Sequence, residues 1–295
     1  MINRRDVTGG IGAHHSHKAR SSHGRRTPVP TLRLATLNVG GPSEARAARL
    51  APFLETLNAD ALVLSETRAN RGTETLMASL IELGYRVEFP DDMTPGERGV
   101  AVAFRGPGQV VDQARWGASS HRLVGVELHD PAGVTLLGSY VPSRDGSDVK
   151  IARKQQFLRQ MSQVVTTTTT TGPVILMGDL NIISRDHTPR YSAFRAWEYD
   201  ALEGLLSHGL TDPYTRHHPG QQAHSWIGRT GSGYRYDYAL VSHDIAAATR
   251  ACDYLHAPRE QGLSDHAAVL LTLDRAALHD AASAAIHAAS AREAS

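Results

Sequence analysis

The 295-residue chain is 41% hydrophobic and 21% charged, with a formal net charge of +1 and one cysteine. These values fit a globular protein with one main domain and leave Cys252 no partner for an internal disulfide, while no apolar run approaches the roughly 20 residues that span a bilayer. The opening MINRRDVTGGIGAHHSHKAR has no apolar stretch of the secretory-signal kind, so a cytoplasmic protein without membrane association is expected.

In chain order, residues 1–30 set Arg4, Arg5, Lys18, Arg20, Arg25 and Arg26 against Asp6, so this segment carries +5 and the rest of the chain −4. A disordered basic tail is expected there, able to add a non-specific attraction to phosphate polymers. Its HHSH cluster is given no site. TLRLATLN (31–38) reads as a strand, and the spacing of Ala47, Leu50, Phe53, Leu54 and Leu57 predicts a helix capped by Ser43. DALVLSE is a second strand, TETLMASLIELG a helix ended by Gly84, and YRVEFP, GVAVAFR, RLVGVELH and GVTLLGSYV are short strands. VKIARKQQFLRQMSQVV is an amphipathic helix, after which Thr166 to Thr171 read as a low-complexity connection to the strand in GPVILMGDLN. YDALEGLLSHGL predicts a helix, and YDYALVS, RACDYLHA and Ala267 to Leu273 predict strands. Residues 31–274 form the expected catalytic domain, and 275–295 an Ala-rich helix or tail. The alternation favours an α/β fold in which two mixed β-sheets pack together and are flanked by helices.

Several apolar strands finish or begin on a polar group: Asn38, Glu66, Tyr140, Asp179 and Asn181, Asp237, and Asp265 with His266. One carboxylate at a strand end is an ordinary loop cap. Four acids, two amides, a Tyr and a His at the same kind of place point to a common cleft. Glu66 and Asp265, with oxygen from Asn38, suit a hard cation such as Mg²⁺. Zinc is disfavoured by the missing Cys and His pairs, and neither a Walker loop nor a G-x-S-x-G elbow is present. Metal-assisted hydrolysis remains.

The series LNVGG, LSETR, GSYVPS, GDLNI, SWIG, YRYDYALVS and LSDHAAV resembles the endonuclease/exonuclease/phosphatase superfamily, and within it the exodeoxyribonuclease III and apurinic/apyrimidinic endonuclease branch. The resemblance covers about residues 31 to 273 and implies a four-layer α/β sandwich. It implies Glu66 as principal metal ligand with Asn38 and Asp265 nearby, the metal being Mg²⁺ with Mn²⁺ able to substitute. Asp179 and Asn181 would position and activate water. His266, held by Asp237, would donate to a phosphate oxygen, and Tyr140 would hydrogen-bond the phosphate. Ser143 would contact phosphate, and Trp226 would wall a slot for a baseless deoxyribose. Arg144, Arg229 and Arg235, in loops beside the expected cleft, are candidates for gripping phosphates. Two departures stand out: Gly40 falls where the family often has an acid or Asn, and Arg68 follows Glu66-Thr67 where Lys is usual.

The implied activity is an abasic-site endonuclease and 3′-to-5′ exonuclease in base excision repair. It would act as a monomer on double-stranded DNA with abasic or 3′-blocked lesions. A phosphoesterase of the same superfamily acting on a phospholipid, an inositol phosphate or RNA is the alternative, favoured by the mildly acidic body. A non-catalytic nucleic-acid scaffold would have no use for the acidic cluster.

Overall fold

The computed structural model describes residues 30–90, 93–94, 96–112, 121–130 and 132–293. The basic tail and its HHSH cluster lie, apart from Pro30, outside the described residues. Among the described residues no helix is long and apolar enough to cross a membrane.

Two six-stranded sheets make the centre of the molecule. In the first, β1 (Thr31–Asn38) runs parallel to β2 (Ala61–Thr67), with Asn38 opposite Ser65. A parallel pair needs a crossover, and α1 (Glu44–Thr56) supplies it, started by the Ser43 hydroxyl accepting from the Arg46 N–H at 3.3 Å. After α2 (Arg71–Glu82), the edge is completed by β3 (Arg86–Glu88) and β4 (Gly99–Phe104), which pairs antiparallel with β2. On its other side β1 pairs antiparallel with β14 (Ala268–Asp274), and β14 with β13 (Thr249–Leu255).

The second sheet repeats the device. β7 (Ala132–Tyr140) runs parallel to β8 (Val174–Asp179), joined by the crossover helix α3 (Asp148–Thr171). β5 (Gly108–Val110) and β6 (Leu123–His129) extend one edge, while β12 (Asp237–Ser242) and the short β9 (Leu210–Thr211) extend the other. Between β8 and β12 come α4 (Ala196–Ser207), α5 (Pro213–His217) and the two-stranded hairpin of β10 (Trp226–Ile227) and β11 (Gly233–Tyr234). The one-turn α6 (Ala257–Glu260) precedes β14, and α7 (Arg275–Glu293) follows it.

Period-two alternation decides the layers. Leu32 and Leu34 of β1, Val63 of β2, Val102 of β4, Leu136 of β7, Ile175 of β8 and Val241 of β12 meet in one core between the sheets. The opposite faces pack outward, Ala35, Leu37, Leu62 and Leu64 against α1 and α2, Leu137, Leu176 and Leu240 against α3 and α4. Helices, sheet, sheet and helices make the four layers, and each wholly buried leucine contributes about 2 kcal/mol. α7 joins the central core through Leu278 and Ala282.

The threonine run differs from the expectation of a connection, because it is the last turn and a half of α3. Thr166 and Thr168 donate their hydroxyls to the carbonyls of Ser162 and Val164, four residues back, and Thr169, Thr170 and Thr171 to carbonyls three residues back. These hydroxyls thus find their partners on the helix's own backbone, the usual recourse of Ser and Thr within a helix.

Candidate active site

The parallel strands of both sheets end on the same side, so Asn38 and Glu66 from the first sheet face Tyr140 and Asp179 from the second. Tyr140 is the register partner of Asp179 on one side and Asp237 its partner on the other, the antiparallel β12 beginning where β8 ends. Asp265 and His266 stand just before β14, where an isolated bridge ties His266 to Trp226. Gly178 makes the approach possible. Its φ is +142°, and a Cβ there would fall 1.8 Å from the Ser139 carbonyl oxygen.

Asp179 is buried at 2% exposure and accepts from Asn38 Nδ2 at 2.9 Å and from the Asn181 backbone N–H at 3.0 Å. Burial, and then the charge of Asp237, push its carboxyl up to about 7, within reach of a general base at neutral pH. His266 Nδ1 stands 2.7 Å from Asp237 Oδ2, both side chains buried. Burial works against the imidazolium, but the Asp237 charge and hydrogen bond prevail and raise His266 to about 10. The ring is therefore a cation at neutral pH. Tyr140 is raised to about 12 by burial and by the Glu66 and Asp179 charges, which keeps its phenol a donor.

The loops around these groups are tied in. Ser264 Oγ donates to the Asn38 carbonyl at 2.5 Å and accepts from the His266 N–H at 3.0 Å. Ser225 Oγ accepts from the N–H groups of Tyr236 and Asp237, and the Tyr254 hydroxyl donates to the Asp237 carbonyl at 2.6 Å. Asn181, held at a φ of +48°, donates through Nδ2 to the Val141 carbonyl at 3.0 Å. Beneath it the buried Lys154 ammonium donates to the Asn181 carbonyl at 2.6 Å and to Glu198 Oε1 at 2.7 Å.

Eight of the thirteen site residues expected from sequence are therefore gathered at one end of the paired sheets: Asn38, Glu66, Tyr140, Asp179, Asn181, Asp237, Asp265 and His266. Trp226 borders them, its indole N–H donating to Asp265 Oδ2 at 3.0 Å. Ser143 is exposed on the loop that follows β7, and Arg229 is exposed in the hairpin turn. Two expectations need correction. Arg235 does not face solvent: its guanidinium is buried in a fork on Asp212, with Nε donating to the Tyr254 hydroxyl at 2.6 Å. Its charge is spent on that carboxylate, so it holds the protein together instead of gripping phosphate. Arg144 is likewise paired with Glu198, over the ring of Trp197, with 10% of its side chain exposed. Sequence reasoning missed Arg98, whose Nη1 lies 2.5 Å from Glu66 Oε1. It also missed Tyr234 and Tyr236, stacked at 5.2 Å and each within 6 Å of the Trp226 ring. The run YRYDY carried a period-two signal for the tyrosines, whereas Arg98, one residue ahead of a strand, carried none.

Whether these residues suit a cation is decided by donor chemistry. Among the described residues, Asp179, Asp237 and His266 have ligand atoms within 4.8 Å of one another, and Asp237 Oδ1 is buried without a hydrogen-bond partner. This is a candidate acidic metal site, though a protonated His266 has no lone pair to give. On the adjoining side Glu66, held at a φ of +60°, and Asn38 Oδ1, which accepts from the Gly40 N–H at 2.9 Å, are oxygen donors of the hard kind. Gly40 itself offers no side chain. The oxygen donors of Glu66 and Asn38 fit a hard divalent cation.

Known proteins share this arrangement of elements. An AP endonuclease from Archaeoglobus fulgidus superposes with a TM-score of 0.70 at 23% identity, covering 82% of this chain and 99% of that one. A 3′ phosphatase from Neisseria, solved with a product DNA hairpin, gives 0.71 at 23% identity over 82% of this chain and 99% of its own. In sequence, a DNA-(apurinic or apyrimidinic site) endonuclease of Dictyostelium discoideum is 22% identical over 268 residues, covering 82% of this chain and 71% of that protein. Residues 35–266, from within β1 to His266, match a single family throughout, and the chain belongs to the Endonuclease/Exonuclease/phosphatase family.

Proposed function

We propose that this chain is a divalent-cation-dependent DNA repair nuclease that hydrolyses the phosphodiester 5′ to an abasic site and trims 3′-blocked ends, with Mg²⁺ as its cation and Mn²⁺ able to substitute. The observation that carries the reading is Asp179: buried, raised to about 7, in register between Tyr140 and Asp237 and hydrogen-bonded to Asn38. In this reading Asp179 takes a proton from water oriented with the help of Asn181. The His266 imidazolium and the Tyr140 phenol donate to phosphate oxygens as negative charge gathers there. Glu66 and Asn38, with Asp265 beside them, hold the cation, which when bound supplies positive charge at the phosphate.

The named activity of the Dictyostelium relative and the DNA hairpin of the Neisseria structure support DNA as the substrate. Trp226, with Tyr234 and Tyr236 behind it, is the wall for a baseless sugar, and Ser143 and Arg229 are the remaining groups that meet phosphate. The enzyme acts as a monomer on duplex DNA in the cytoplasm. The test is a duplex with one abasic site, incubated with Mg²⁺. Wild type is expected to nick it and chelator to stop the reaction, while Asp179→Asn should be slower by about a thousand-fold. Absence of a nick, or an unimpaired Asp179→Asn, ends the reading.

A further inference from the structure

Arg98 stands immediately before β4, where the first sheet opens onto the site. Its Nη1 lies 2.5 Å from Glu66 Oε1 and donates to the Tyr140 hydroxyl at 3.5 Å. The other Glu66 oxygen accepts from Asn38 Nδ2 at 2.9 Å, and Arg68 brings a second guanidinium to 3.9 Å from Oε1. Only 16% of the Glu66 side chain is exposed, against 37% of Arg98. The carboxylate that is the cation ligand in the function proposed above is therefore also the principal counter-ion of an arginine.

A carboxylate oxygen binds a divalent ion through its negative charge, and a guanidinium resting on that oxygen neutralises part of it. Two cations drawn to one oxygen also repel each other, and little water reaches Glu66 to screen them. The guanidinium keeps its proton at any ordinary pH, so the competition cannot be relieved by titration as it could be for lysine. We propose that Arg98 competes for Glu66 and sets the divalent-cation affinity of this site well below what its oxygen donors would otherwise give. The opposite role would be a prop, in which Arg98 holds Glu66 in a binding posture and its loss weakens the site. The two differ in the sign of one measurement.

The inference rests on Glu66 as the cation ligand, and the experiment separates the two claims. Mn²⁺ is titrated into the full chain without DNA and followed by electron paramagnetic resonance for wild type, Arg98→Met, Arg98→Gln and Glu66→Gln. Thermal melts establish that each variant is folded. Arg98→Met and Arg98→Gln are expected to bind Mn²⁺ about ten-fold tighter, the scale of one partly buried ion pair removed, with the gain abolished when Glu66→Gln is added. Arg98→Gln keeps a hydrogen-bond donor for Tyr140, so it carries the test if Arg98→Met does not fold. Unchanged or weaker binding in the folded Arg98 variants overturns the competition while leaving the cation site standing. If Glu66→Gln binds Mn²⁺ as wild type does, the assignment of Glu66 fails and the competition falls with it.

Discussion

Asp237 acts on two neighbours at once. Its carboxylate, wholly buried, raises His266 through a 2.7 Å contact and adds its repulsion to the burial that raises Asp179, so one charge bears on both groups. In the proposed reaction Asp179 is the base and must be ionised, so kcat/KM should climb as pH rises through about 7. The proposed role of His266 needs the cation, so the rate should fall as pH rises through about 10. In Asp237→Asn, burial of the imidazole is opposed only by the Asp179 and Asp265 charges, and the falling limb should move down by about two pH units. The rising limb should also move down, because Asp179 loses its repelling neighbour. A pH profile of kcat/KM for the two proteins checks both signs, and a falling limb that stays in place would detach His266 from the reaction. Most of this cluster was legible in the sequence because each member sits where an apolar run meets a polar residue, and strand ends must meet at a sheet edge. For Arg235 the loop position suggests exposure, whereas its parity places it inward. It shares the parity of the buried Asp237, while Tyr234 and Tyr236 share the other. Arg98 was hidden for a different reason: a charged residue in a glycine-flanked loop is ordinary until the tertiary structure brings Glu66 to it.

At the level of elements, α4 and α3 are joined by a buried charge cluster that reaches the site. Glu198, 1% exposed, receives Lys154 from α3 and Arg144 from the loop after β7, and its carboxylate also accepts from the Arg195 N–H at 3.0 Å as part of the α4 capping box. Burial opposes its ionisation, but the Arg144 hydrogen bond and the Lys154 charge hold its pKa below the ordinary glutamate value. Glu198→Gln would leave Lys154 buried without a counter-charge, and a loss of about 3 kcal/mol of unfolding free energy is expected. Urea denaturation measures it, and a loss below about 1 kcal/mol would mean that water replaces the carboxylate. Because Lys154 also holds the Asn181 carbonyl, kcat should fall in the same variant. The pairing of α3 with α4 was not legible beforehand. Helix periodicity marks which face is apolar, whereas a buried Lys–Glu pair depends on which helices become neighbours. The threonine run shows the same limit from the other side, since composition favours a connection and only the backbone carbonyls of α3 give its hydroxyls partners.

Across the whole molecule, layering and charge have separate origins. The four layers follow from alternation in strands that carry apolar residues on both faces, and for that reason two packed sheets were readable where the order of strands within them was not. The charge is arranged differently: residues 1–30 hold +5 and the remainder −4, so the positive charge that would attract a polyanion is concentrated in the first thirty residues of the sequence. A body of that sign would draw duplex DNA through local groups such as the exposed Arg229. The basic segment would add a contribution that depends on released counter-ions and not on the lesion. Removing residues 1–29 should therefore weaken binding to abasic and intact duplex by the same factor, and flatten the dependence of log affinity on log salt by about 0.9 for each phosphate that the segment had neutralised. The kcat on the abasic duplex should stay within about two-fold, because Glu66, Asp179 and His266 are all fixed by the folded body. Fluorescence anisotropy across a salt series, paired with single-turnover cleavage, checks both parts. An unchanged salt slope would mean that the basic segment never meets the DNA, and a collapse in kcat would place it inside the catalytic machinery.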